Sequence, residues 1–417
     1  MGGSDFYCSV SGTRYFLSTT EFRNAVFSRC DLKGGLNKSS SSEVEDDNDP
    51  QTHNRLNNVG VSDEGLRYSE EDVEASSTYV AIVPYETDED GDICINTDSI
   101  VDDYEGPDEY TEETIVHVFN VVPGRYPILG DYINQDPHDP NAYGGEYLVA
   151  SFGFSLIITY TAYLILKQAA PQVTPHALYA LAYGAALGDL GHIKGVDYGP
   201  VGHIINPDYV DWLGICEDDD WYRRNDFWKN LLTQKNKTDE EILHDAWRGR
   251  GNMWVFVRPD RFPIAETIAA APFPTFSVND SGKRVSPFES LPVDILLAIC
   301  EEIPIRTTFA LISTCKRVRA SILPHADSIT HQRLKADEPW YLPAGPFELK
   351  DKKHGREEVD WWASQWAAGG ISGEGMDLAI PWFLYRKQCS SSMSMWNRKR
   401  IWDVAMQLGR LVDERGT

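Results

Sequence analysis

Oxygen donors stand at Glu86, Asp88, Asp90 and Asp92, with Gly91 among them. Carboxylates at alternate positions around a turn glycine suit a hard cation, as in a calcium-binding loop. The pattern fails at its end, where Thr97 holds the place of the final bidentate glutamate, and the preceding Tyr79–Pro84 text is strand-like instead of helical. The segment therefore reads as a solvated acidic loop. A second set, His192, His203, Asp197, Asp208 and Cys216, offers nitrogen, oxygen and sulfur donors of the kind zinc takes, but no ligand spacing joins them. They read as ordinary hydrogen-bonding residues. The seven cysteines are dispersed without a C-x-x-C, which fits reduced thiols in an intracellular protein, cytoplasmic or nuclear. There is no Gly-rich phosphate loop, no Gly-x-Ser-x-Gly elbow and no His-Glu-x-x-His pair. The expectation is a non-catalytic protein with no metal and no cofactor.

Charge narrows the partners. Across 417 residues, 64 acidic side chains face 38 basic ones for a formal charge of -26, which disfavours nucleic acid because phosphate backbones need a basic footprint. The start MGGSDFYCSVSG has neither the basic nor the apolar region of a signal peptide. Residues 148–166, LVASFGFSLIITYTAYLIL, carry no charge and approach a bilayer's thickness. Their serines, threonines and tyrosines, without basic flanks, favour a buried helical hairpin over 148–187 and argue against membrane association; a membrane anchor at 148–166 is the competing reading.

The elements that must position any site follow from periodicity. Two β-rich runs, 79–84 and 115–122, predict a strand pair joined by a long acidic loop. Residues 38–77 are polar and acidic and read as a disordered linker behind an N-terminal segment 1–37. The region 78–260 reads as an α+β module, with helix around Trp212, Trp221, Trp228 and Trp247 and a strand at 253–257. Residues 261–286 are Pro-rich and read as a linker, while 334–417 form an aromatic-rich C-terminal region. There Trp396, Ile401, Val404, Leu408 and Leu411 share one helical face, and Arg398, Lys399 and Arg400 read as a solvated first turn. The fold class is α+β, mainly helical: an N-terminal mixed module with a few strands, a three-helix unit, and a helical aromatic-rich tail.

The three-helix unit spans 287–333. Ser290 can cap, Pro292 suits a first turn and Asp294 complements the helix dipole. Ile295, Leu296, Ile299 and Ile303 recur at spacings of three and four until Pro304 ends the helix. Phe309, Ile312, Cys315, Val318 and Ile322 repeat that spacing, with Lys316, Arg317 and Arg319 between them as the basic residues of a helix C-terminal half. A unit this small either packs on its neighbours or keeps an apolar face for a partner.

In register, Leu291-Pro292, Asp294, Ile295-Leu296, Ile299, Ile303 and Cys315-Lys316-Arg317 resemble an F-box. Val318 stands where that family usually carries a tryptophan. The late F-box, Trp340-Tyr341-Leu342-Pro343, the Val196–Pro200 segment and the aromatic ending resemble a fungal, basidiomycete group of F-box proteins. The resemblance implies a substrate-recognition adaptor in the ubiquitin conjugation pathway. Its F-box would bind the Skp adaptor of a Skp-cullin-F-box ligase, and flanking regions would hold an unknown protein client. The contact residues it implies are Leu291, Pro292, Ile295, Leu296, Ile299 and Ile303, with Phe309 and Ile312 behind them. A competing reading keeps the same helices as a scaffold outside ubiquitination.

Overall fold

A computed structural model describes residues 8–13, 79–87, 93–95, 116–121, 156–183, 192–203, 252–270, 290–343, 362–370 and 380–415, with single positions at 241, 245 and 248. These residues are mainly helical. They belong to two compact units, one of residues 1–163, 172–258 and 407–417 and the other of residues 164–171 and 259–406.

The first unit holds a sheet built on β1 (Tyr79–Thr87). β3 (Val116–Val121) pairs antiparallel along one edge, with Tyr79 opposite Val121 and Pro84 opposite Val116. This is the pair that the two β-rich runs predict. The other edge is shared by β4 (Leu156–Thr159), opposite Tyr79–Ile82, and the short β2 (Ile93–Ile95), opposite Tyr85–Thr87. Val80 faces Ile158 and Ile82 faces Leu156, and all four are buried, so alternate residues line one packed face.

β4 corrects the reading of residues 148–166. Leu156–Thr159 are strand, and helix begins only at Tyr160; residues 148–155 lie outside the described residues. A short apolar run with β-branched residues is compatible with either state, and here pairing with β1 decides. The helix α1 (Tyr160–Ala169) is buried on nearly every side, with Ala162, Ile165, Leu166 and Gln168 fully enclosed. After a turn at Pro171, α2 (Pro175–Tyr183) starts with proline in its first position, and the Thr174 hydroxyl accepts from the Ala177 amide at 3.1 Å. No described helix is long and apolar enough to cross a membrane.

The predicted strand at 253–257 is instead a 3-10 turn, Met253–Phe256, entered through Asn252 in the left-handed region at φ 55°. Val255, Phe256 and Val257 are buried all the same. Within the stretch 261–286, α3 (Ile264–Ala269) buries Ile264 and Thr267; residues 271–289 lie outside the described residues. So do the four tryptophans from Trp212 to Trp247.

The second unit continues with α4 (Val293–Glu302), α5 (Ile305–Thr314), α6 (Lys316–Ile322) and α7 (Ala326–Asp337). A helix over 362–368, α8, precedes α9 (Trp382–Cys389) and the long α10 (Met393–Arg415), which belongs to this unit as far as Met406. Two apolar cores hold this unit. One gathers Leu296, Cys300, Leu311, Ile312, Val318, Ile322 and Ile329 from α4 to α7. The other is aromatic, with Trp362, Trp366, Trp382 and Tyr385 at its centre and Ile264, Ile305 and Leu334 around them. Ring centroids of Trp362 and Trp366 lie 5.8 Å apart, edge to face, as do Trp382 and Tyr385 at 5.7 Å.

Two of the three basic residues of the α10 cluster lie inside, contrary to the solvated first turn that its charge predicts, while Lys399 is part-exposed and pairs with Asp403. Arg398 is 1% exposed; its Nε donates to the Trp340 carbonyl at 2.7 Å and its Nη2 to Gln168 Oε1 at 2.8 Å. The guanidinium also lies 4.9 Å from the Phe262 ring centroid. Arg400 is buried and donates to Asn397 Oδ1 at 2.8 Å. A planar cation with five donors can collect scattered carbonyls where a lysine cannot.

Candidate functional site

The helices α4 to α6 owe their boundaries to three residues. Pro292, at φ −56° and ψ 147°, is the cap position of α4, and its carbonyl accepts from the Ile295 and Leu296 amides at 3.1 and 3.2 Å. The cap position of α4 thus falls on Pro292, two residues after Ser290. Pro304 repeats those angles and starts α5, its carbonyl accepting from Thr307 and Thr308. Asp337 of α7 then accepts from the Ile305 amide at 3.2 Å and holds Arg333 in an ion pair at 2.7 Å.

Cys315 breaks the apparently continuous spacing from Phe309 to Ile322. Its backbone is extended, at φ −153° and ψ 161°, and its Sγ accepts from the Val318 amide at 3.4 Å as the cap of α6. Lys316 and Arg317 therefore stand in the first turn of α6, exposed and against the helix dipole, where the sequence pattern places them in a C-terminal half. Val318 is fully buried among Leu296, Cys300 and Ile312.

Burial divides the candidate contact residues. Leu296 and Ile312 are 2% and 3% exposed and belong to the core. Leu291, Ile299 and Ile303 are half-buried against that core. Phe309 is turned inward too: its ring lies 4.8 Å from that of Phe383, and the Arg386 guanidinium lies 5.7 Å from its centroid. Only Pro292 and Ile295 are exposed, Ile295 by 48%. The structure adds Val293, which sequence spacing misses because it lies off the stripe; it is 38% exposed. Val293 and Ile295 are two of three large apolar side chains exposed among the described residues, the third being Met406 on α10. The first turn of α4 thus carries two exposed large apolar side chains, two residues apart and so on different faces of the helix, while Leu296 and Cys300 are taken up by the core.

A buried ion pair fixes α9 to the end of α7. Arg386 reaches Glu338 through both Nε and Nη2, the latter at 2.9 Å, and its guanidinium lies 5.0 Å from the Tyr341 ring centroid. Tyr385 donates to the Tyr341 carbonyl at 2.7 Å. Burial, partly offset by Arg386, pushes the Tyr341 phenol up to about 12. Burial also raises the Cys300 thiol, with Glu301 adding to it, and pushes the Cys389 thiol up strongly. These thiols are protonated, poorly nucleophilic core residues.

Of the donor sets that the sequence offers for metals, His192 and Asp197 are the members whose side chains are described. His192 uses Nε2 to meet the Gly12 carbonyl at 2.9 Å and stacks on Tyr198 with centroids 4.5 Å apart. Asp197 Oδ1 accepts from the Gly199 amide at 2.8 Å. Asp208 and Cys216 lie outside the described residues, as do residues 88–92, while Glu86 lies within β1 opposite Cys94. Among the described residues no group of three histidine, cysteine or acidic side chains is placed to hold a metal ion. No protein-family model, curated protein or solved structure matches the chain.

Proposed function

We propose that residues 287–333 act as an F-box, docking the chain onto the Skp adaptor of a cullin ligase while another part of the chain holds a client protein. The observation that carries this reading is the exposed apolar turn of α4: Ile295 is 48% exposed, with Pro292 and Val293 also exposed, on helices whose Leu296, Cys300 and Ile312 are already packed. A partner that covers this turn removes apolar surface from water at little cost to the fold, since the core is complete without it. The adaptor then supplies proximity, raising the client's effective concentration near the charged ubiquitin carrier, and no residue of this chain turns over. In the described part of the tail, Trp362, Trp366 and Trp382 are core side chains. They are therefore not the client's contact surface.

The scaffold reading draws on Val318. A buried valine in place of the family's tryptophan completes the core without reaching outward. Affinity purification of the full chain, wild type against Ile295→Glu, separates the two readings. Docking predicts that the Skp adaptor is recovered with the wild type and lost with the variant. Failure to recover it with either, from a folded wild type, overturns the ligase reading and leaves the scaffold.

A further inference from the structure

We draw no further inference here: the strongest candidate, the exposed apolar patch of Pro292, Val293 and Ile295 at the start of α4, belongs to the docking surface already described, and nothing in the structure shows what else covers it.

Discussion

Ile295 and Leu296 are neighbours in sequence, one 48% exposed and the other 2% exposed, and the docking account assigns them opposite roles. Replacing Ile295 with glutamate should leave the fold almost untouched, because exposed substitutions usually stay within about 0.5 kcal/mol. Binding should suffer. Covering the exposed half of an isoleucine side chain contributes roughly 1 kcal/mol, and forcing a polar group into the desolvated patch costs about 1–3 kcal/mol more. The sum, about 2–4 kcal/mol, corresponds to a roughly 30- to 1,000-fold weaker complex. Leu296→Ala should do the reverse at the level of the fold, destabilising it by about 2–5 kcal/mol through the cavity that it opens beside Cys300 and Ile312. Isothermal titration against the purified Skp adaptor, paired with thermal melts of the same samples, reads both effects. Wild-type affinity in Ile295→Glu, or a wild-type melt in Leu296→Ala, would refute the division of α4 into an outward and an inward face.

The ion pair of Arg386 with Glu338 is enclosed, so Arg386→Met should destabilise the fold by about 3–5 kcal/mol by stranding the carboxylate, whereas the double change Arg386→Met with Glu338→Leu should recover most of that loss in denaturant melts. Tyr341 keeps its proton in the fold up to about pH 12, while an unfolded tyrosine releases it near pH 10. Its contribution is therefore complete below about pH 10 and is lost as pH rises toward about 12, so stability should fall over that window and fall less steeply in Tyr341→Phe. Cys315→Ser keeps an acceptor for the Val318 amide and should preserve the thermal midpoint, while Cys315→Val should lower stability by about 1 kcal/mol.

Local pattern made parts of this molecule legible. The β1 and β3 runs pair as expected, and Pro292 marks a helix start because proline's fixed φ and missing N–H suit only the first turn or its edge, whereas Pro304, read as the end of one helix, is also the cap of the next. Features set by distant partners were not legible. Leu156–Thr159 are strand because β1 offers an edge, and Arg398 is buried because carbonyls from remote parts of the chain converge on it. Neither fact leaves a trace in the spacing of nearby residues.

The contact set shows the same limit. Helical spacing groups Ile295, Leu296, Ile299 and Ile303 on one stripe, but it cannot say which edge of the stripe the neighbouring helices cover. Packing of α5, α6 and α7 takes Leu296 and Cys300 and leaves Val293 and Ile295 outside. Cys315 was visible as part of the Cys-Lys-Arg block, whereas its role as a helix cap depends on an extended backbone that the apparent repeat conceals.

The central claim is that the first turn of α4 docks a Skp adaptor. Size-exclusion chromatography with light scattering, on the full chain mixed with purified adaptor, tests it directly. The account predicts a one-to-one complex that Ile295→Glu abolishes while each protein still elutes as a folded monomer. Separate elution of wild-type chain and adaptor at concentrations where a standard-size interface assembles would contradict it.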